Sequence, residues 1–400
     1  MTFRDRSAEK RGSDRTAANA YIDRGTPGKA WSGFRSSGGG VLGTALAARL
    51  GDADLEVSLY ERGALGEGAT AASMAVFTWQ SLHPTGLDYR LRRRSWPEYE
   101  RLIETSGVAF APTGALNVAS TAEGRETVTE AAKKLYELGT DAQALTPEEI
   151  ARFGITSERV TGGLYTEREG YFDPAELVAA YADRAAEAGA GIETGTEVTG
   201  IVVENGTVSA IETAEGETVE TDIVVNATGP WAPEINDLVD LSLPLGHTRG
   251  PILDVQARAP DFPFTLFERA DGPAHYLRPH ESGVYAGRYA TDSEGSEALD
   301  PDREYTTGET FESEVETLLE TTVPKLVGAD LEEGWVGLRT VSPDGFPLVG
   351  AVGPTGFLAA CGPSGLGVTR APAIADLLGS YLETGRASED LEALSPTRSG

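Results

Sequence analysis

Apolar residues return along this chain at two periods, and the points where the period changes mark its elements. Residues 41–50 are an Ala/Leu run at helical spacing, and residues 55–60 follow as a strand that ends on Glu61. A mixed region predicts a helix over 95–105, short strands within 108–119 and a charged helix over 121–138. Asp173-Pro174-Ala175-Glu176 starts another helix. Aspartate caps the first N–H groups, proline suits the first helical position, and Glu176 stands where a capping box wants an acid. That helix runs to about Ala188. Residues 197–203 and 207–213 alternate around Asn205-Gly206, a hairpin turn. Residues 222–226 read as a short strand, 245–290 as several short strands, and 309–321 as a helix. Residues 353–382 add a strand, the glycine-rich loop CGPSGLG, and a last helix.

Glycine spacing gives the first helix its chemistry. Gly38-x-Gly40-x-x-Gly43 opens it, with Gly39 inside the turn, and Glu61 falls twenty-three residues after Gly38. In a dinucleotide site one glycine makes the turn, one admits the pyrophosphate, and one lets the helix pack closely. The phosphates rest on unpaired N–H groups at the positive end of the helix dipole. An acid some 20 residues on holds the ribose hydroxyls. The strand before Gly38 should be a Val/Ile/Leu run, since it is central and parallel. The chain offers Trp31-Ser-Gly-Phe-Arg-Ser-Ser37 instead, so the first strand is expected to be missing.

Charge changes the picture for that segment and for the partners. The chain has 400 residues, 63 acids, 33 bases and a net charge of −30. Such a surface repels nucleic acid and anionic membrane, and it suits a salt-adapted, cytoplasmic protein in concentrated electrolyte. One cysteine, Cys361, excludes a disulfide framework, and the four histidines have no metal-ligand spacing. No apolar run reaches the ~20 residues of a membrane span. Residues 1–37 differ in kind, with eight bases against four acids and no periodicity, so they read as disordered or out of frame. Read one base earlier, Phe34, Ser36 and Ser37 become Phe, Leu, Ile or Val, and a valine appears at position 32. That is close to the apolar strand the motif requires.

Four landmarks in order resemble a known family. They are GGGVLGTALAARL with its strand ending YERG, the loop GATAAS from Gly68 to Ser73, NATGPWA from Asn226 to Ala232, and GLRTVSPDGFPLVG from Gly337 to Gly350 followed by CGPSGLGV. Over residues 38 to about 382 the chain is similar to FAD-dependent amine and amino-acid oxidoreductases of the D-amino-acid oxidase, glycine oxidase and sarcosine oxidase type. The resemblance implies an α/β fold, with a discontinuous Rossmann-like FAD-binding domain interleaved with a β-rich substrate domain. Residues 38–90, 160–236 and 337–386 would bind FAD, 91–159 and 237–336 would bind substrate, and 387–400 would be a tail.

By the same resemblance, Gly38, Gly39, Gly40, Gly43, Glu61 and Arg62 hold the adenosine and pyrophosphate. Ala69, Thr70 and Ser73 pass over the pyrophosphate and flavin, and the Val198 backbone lies near the adenine. Thr228, Gly229 and Trp231 come close to the nucleotide. Gly362, Ser364, Gly365, Leu366 and Gly367 aim the last helix at the flavin, where a helix N-terminus stabilises charge on the reduced ring. Gly337 stands where family members with covalent flavin have cysteine, so FAD is expected to be non-covalent. Thr369 stands where some sarcosine oxidases have lysine.

Arg339 matches the family's carboxylate-binding arginine, and a planar guanidinium suits a carboxylate bidentately. Strand alternation puts Tyr276 and Arg278 on one face of the substrate domain, with Arg288 on the face opposite Tyr285. The expected reaction is hydride transfer from the α-carbon of a small amino acid or N-methylated amine, giving an imine that hydrolyses. Oxygen or another acceptor would reoxidise the flavin, and the chain would act as a homo-oligomer or a complex subunit. A 2-hydroxy-acid or glycerol-phosphate dehydrogenase, and a non-catalytic electron-transfer subunit, stay open as alternatives.

Overall fold

A computed structural model of the protein describes residues 34–51, 55–257, 262–268, 274–289 and 299–398. One layer is a six-stranded sheet in the order Leu348–Ala351, Phe357–Cys361, Ile223–Asn226, Phe34–Ser37, Val57–Glu61, Gly191–Thr194. Neighbours are parallel except the outermost pair, Leu348–Ala351 with Phe357–Cys361. Parallel strands are covered on both faces, so Ile223–Asn226 and Phe357–Cys361 are buried at every position. Helix Val41–Gly51 is buried almost all round, because it contacts helices Pro174–Glu187 and Gly367–Thr384 as well as the sheet. Leu46, Leu50 and Leu59 are fully buried there, each contributing roughly 2 kcal/mol of apolar burial.

The strand expected to be missing is present. Phe34–Ser37 occupies the centre of the sheet, with Ser37 opposite both Asn226 and Tyr60. This corrects the expectation and moves the start of the nucleotide unit back from Gly38 to Phe34. Backbone pairing explains it: the strands on either side each present a row of N–H and C=O groups, and leaving both rows unpaired inside a sheet is costly whatever the side chains between them. Residues 1–33, the rest of the segment read as disordered or out of frame, lie outside the described residues.

The second large sheet has nine strands. Its path runs Asp330–Leu331, Gly246–Gln256, Gly283–Tyr289, Ala274–His280, Phe264–Phe267, Ala115–Ala119, Gly162–Thr166, Gln143–Leu145. Trp335–Val341 also pairs with Gly246–Gln256, Thr248 lying opposite Arg339. Helix Glu309–Thr322 covers one face, packing Phe311, Val315 and Leu318 on Leu253, Leu277 and Val284. The other face carries Ile252, Tyr276 and Phe264 toward Met74 and Val76, the latter in a small sheet with Gly170–Phe172. Gly162–Thr166 and Trp335–Val341 therefore belong to this nine-stranded sheet, although the first lies in a span expected to bind FAD and the second runs from the span expected to bind substrate into one expected to bind FAD.

Helix Gly86–Ser106 begins nine residues before the predicted 95–105. Thr85 caps it by accepting the Asp88 N–H. Its early turns escaped the periodicity because Asp88 and Arg92 are charged and buried. Leu91, Tyr99 and Leu102 sit in the main core against helix Gly367–Thr384. The hairpin turn is as expected, with Asn205 at φ +51° and Gly206 at φ +80°.

Candidate active site

The glycine turn is shaped by close approach. Gly38 has φ +111°, and a Cβ there would stand 2.6 Å from the Ala227 carbonyl oxygen. A Cβ at Gly43 would meet the Gly38 carbonyl oxygen at 1.8 Å, so only glycine lets the helix lie on its own turn. The Glu61 carboxylate accepts the Gly39 N–H at 2.6 Å and the Gly63 N–H at 2.8 Å. Those two bonds leave lone pairs for ribose hydroxyls. Thr70 reaches back over the turn, where its hydroxyl accepts the Val41 N–H at 3.1 Å. Ser73 donates to the Thr70 carbonyl at 2.7 Å and so closes the GATAAS loop.

A cavity of about 1220 Å³ runs from this turn to the nine-stranded sheet. Gly38, Gly40, Glu61, Arg62, Ala69, Thr70 and Ser73 line it, as do Val198, Thr228, Gly229 and Trp231. Gly39 and Gly43 stand behind, shaping the turn. Arg62 stacks 4.4 Å over the Trp231 ring, and Asp302 holds both, accepting the Trp231 indole N–H at 2.9 Å and pairing with Arg62.

Of the loop before helix Gly367–Thr384, Gly365 and Leu366 line the cavity, as does Gly367 at the helix start. Gly362 and Ser364 do not. Ser364, at φ +54°, donates its N–H to Thr340 and accepts the Ser342 N–H, so it ties the loop to the Arg339 strand. Thr369 fastens the first helical turn to the cavity wall, donating to the Val76 carbonyl at 3.2 Å and accepting the Thr78 N–H at 3.3 Å. Cys361 is wholly buried outside the cavity, and burial pushes its thiol up to about 12.

On the nine-stranded sheet, Arg339 and Tyr276 come together on the cavity wall, with the Arg339 charge acting on the Tyr276 hydroxyl. Arg339 donates to the Arg288 carbonyl at 2.9 Å and lies 5.0 Å from the Tyr289 ring centroid. Burial raises the Tyr276 hydroxyl pKa against the pull of Arg339, so it stays protonated and able to donate. Arg278 does not join them on the cavity wall. It shares their face but is sandwiched between Tyr171 at 3.7 Å and Tyr285 at 5.1 Å, outside the cavity. Arg288 lies on the opposite face, as alternation predicted, with its guanidinium 3.6 Å from Glu314.

Three charged residues that the sequence reading did not single out brace this wall. Asp88 takes Arg92 at 2.7 Å and Arg370 at 2.9 Å, all three nearly inaccessible to water. Burial alone would raise the Asp88 carboxyl, but its two arginines hold it below the ordinary range. Arg92 also donates to the Thr78 carbonyl, and Arg370 donates to the Gly345 carbonyl at 2.8 Å. Glu169 is fully buried behind the same wall, accepting the Trp79 N–H at 2.9 Å and the Thr166 hydroxyl at 2.6 Å. Burial raises it to about 7. Only the i,i+4 spacing of Asp88 and Arg92 hinted at a pair. Among the described residues no cluster of His, Cys, Asp or Glu could hold a metal, and no helix is long and apolar enough to cross a membrane.

The sequence profile of FAD dependent oxidoreductases matches residues 38–381. The chain belongs to this FAD-dependent family. Human mitochondrial dimethylglycine dehydrogenase is 27% identical over 389 residues, covering 91% of this chain and 44% of that protein. Subunit A1 of the anaerobic glycerol-3-phosphate dehydrogenase of Haloferax volcanii is 29% identical over 322 residues, covering 76% and 53%. The chain thus spans about half the length of these relatives. Glycine oxidase of Geobacillus kaustophilus is 27% identical over 374 residues, covering 90% of this chain and 95% of the enzyme. L-proline dehydrogenase from P. horikoshii has the same fold, with a TM-score of 0.82 at 24% identity over 92% of this chain and 97% of that one. FAD fits the residues described: a glycine turn that any Cβ would fill, an acid at the strand end, and one cavity joining both to the nine-stranded sheet.

Proposed function

We propose that the protein oxidises a small amino acid or N-methylated amine at the carbon between nitrogen and carboxylate. The observation that carries this is the Arg339–Tyr276 pair on the cavity wall, a fixed cation beside a neutral hydroxyl donor. Arg339 takes the carboxylate bidentately and Tyr276 adds a third donor. With the carboxylate fixed, the α-carbon hydrogen has one direction in which to leave, and orientation of this kind supplies much of the rate. FAD, when bound, accepts that hydrogen with its electron pair. A substrate nitrogen that carries a hydrogen gives a proton to water, and water hydrolyses the imine, or the iminium ion from a tertiary amine, to a carbonyl compound and an amine. Thr70, Glu61 and the Gly38 turn would hold the nucleotide, and Gly365 to Gly367 would turn helix Gly367–Thr384 toward the ring that gains charge.

FAD would be bound non-covalently. Cys361 is the only cysteine, and at Gly337 a Cβ would stand 3.0 Å from Ala72, leaving little room for a longer side chain. We further propose salt-adapted, cytoplasmic work, supported by the net charge of −30. Oxygen or another acceptor would take the electrons, in a homo-oligomer or as one subunit of a larger complex.

A second reading, oxidation of a 2-hydroxy acid or glycerol phosphate, draws on the 29% identity to the Haloferax volcanii subunit. Purified holoprotein mixed anaerobically with glycine, N-methylglycine, N,N-dimethylglycine and L-proline, and in parallel with lactate, glycolate and glycerol 3-phosphate, decides between them. The amines should bleach the flavin and the hydroxy compounds should not.

A further inference from the structure

Three glycines surround the Arg339–Tyr276 pair, and two of them have no backbone reason to be glycine. Gly250 and Gly287 lie inside strands Gly246–Gln256 and Gly283–Tyr289, and neither has φ in the left-handed region. Glycine inside a strand weakens it, and it marks a place where something approaches the backbone closely. At Gly287 that neighbour is Tyr276 on the adjacent strand, directly opposite in register. A Cβ on Gly287 would meet the Tyr276 ring carbon Cζ at 2.0 Å and its hydroxyl oxygen at 2.2 Å. The tyrosine therefore lies flat across the Gly287 strand toward Arg339 rather than standing up from the sheet. At Gly250 the neighbour is the guanidinium of Arg339, whose Nη2 and Cζ would be 2.8 Å and 3.0 Å from a Cβ. Gly365, from the loop that opens helix Gly367–Thr384, closes the other side, with Arg339 Cδ at 3.1 Å.

We propose that Gly250 and Gly287 are positioning residues for substrate: they are gaps in the sheet that lay Tyr276 and Arg339 side by side under the loop at Gly365. The inference rests on the carboxylate-anchor reading of this pair. Any side chain at 250 or 287 would lift the functional tip of its neighbour and leave the ladder and the backbone dihedrals intact. A methyl group placed there changes ligand affinity before it changes folding, because the atoms it meets are ends of side chains and not backbone. The gaps also limit what the site accepts. A carboxylate enters beside the flattened ring, and the strand beneath offers it no competing side chain.

The experiment uses acetate as the probe, titrated into FAD-loaded protein and followed by the perturbation of the flavin spectrum, with thermal unfolding in parallel. In Gly287→Ala the acetate Kd should rise about tenfold, the loss of one hydrogen bond to a charged group, with the melting temperature near that of the parent. In a Tyr276→Ala background Gly287→Ala should change nothing further, since its effect passes through the ring. Gly250→Ala should raise the Kd in the same way through Arg339, and it carries the test if Gly287→Ala fails to fold. Tyr276→Ala weakening acetate while Gly287→Ala and Gly250→Ala bind it like the parent would overturn the inference and leave the anchor standing. Arg339→Ala and Tyr276→Ala both binding acetate like the parent would sink the anchor reading, and this inference with it.

Discussion

At the nucleotide end of the cavity, glycine works through the backbone. Gly38 turns the chain at φ +111°, and Gly43 meets the main-chain oxygen of Gly38, neither of which can move aside. At the substrate end, Gly250 and Gly287 keep ordinary strand dihedrals and give way to side-chain tips. The turn, helix and acid of the first end are local, lying within the 24 residues from Gly38 to Glu61. The other collects residues 250, 276, 287 and 339 from four strands. A local, backbone-defined end should fail by losing its cofactor and its fold. A distributed, side-chain-defined end should fail by losing ligand while the protein stays folded.

The largest effect should come at the first end. Gly43→Val presses a branched side chain against the Gly38 carbonyl, at a cost of at least about 3 kcal/mol, and the purified protein should be colourless with a much lower melting temperature. Flavin absorbance per protein and a thermal melt check this. Retention of FAD at the parent level would break the contrast between the ends.

Next comes Arg339→Ala. It should leave FAD content and melting temperature alone and lower kcat/KM by roughly a thousandfold, about 4 kcal/mol for two charge-assisted bonds. Steady-state kinetics read it directly. A variant that binds FAD normally and turns over like the parent would remove Arg339 from the site.

Much of the first end was legible in the sequence, because glycine spacing, helix and terminal acid are neighbours along the chain. Its strand Phe34–Ser37 was not. FRSS has none of the Val/Ile/Leu character of a central strand, and its place follows from pairing with Ile223–Asn226 and Val57–Glu61, far away in sequence. At the second end, Arg339 was legible only through its motif, and Tyr276 through alternation. Alternation named Arg278 with equal force, since period two gives a face and not the neighbours on it. Only the structure puts Tyr171 and Tyr285 around Arg278. Asp88, Arg92, Arg370 and Glu169 were invisible for a related reason: a buried charge and a surface charge look alike in a sequence until the partner is known.

Glu169, behind the wall that joins the two ends, sharpens the comparison through pH. Its carboxyl titrates near 4.5 when the chain is unfolded and near 7 when folded, so the folded state binds more protons in between. Its contribution to stability therefore falls as pH rises from about 4.5 to 7, by up to about 3 kcal/mol. Glu169→Gln keeps an acceptor for Trp79 and Thr166 and cannot ionise. Thermal melts should show it more stable than the parent at pH 8 and no more stable at pH 4.5. Equal melting temperatures at pH 8 would mean that Glu169 ionises without penalty.

The smallest effect belongs to the loop that follows the Arg339 strand. Arg398 pairs with Asp344 at 2.8 Å and holds its carboxyl down to about 2. That stability is present above the ordinary aspartate range and is lost as pH falls through the folded value. Asp344 is more than a third exposed, so solvent screening keeps the pair under about 1 kcal/mol. Arg398→Ala should shift the denaturant midpoint at pH 7 only slightly and leave acetate affinity unchanged. A clear loss of acetate binding would tie this loop to the anchor.

The central claim is that this cavity oxidises a substrate held by its carboxylate on Arg339, and anaerobic flavin bleaching tests it most directly. Holoprotein and its Arg339→Ala variant, both loaded with FAD, are mixed with the panel of amines and hydroxy compounds, and the visible flavin band is followed. The account predicts bleaching by at least one amino acid or N-methylated amine in the parent, at a rate that collapses in Arg339→Ala. Bleaching by a hydroxy compound alone, or equally fast in both proteins, would contradict it.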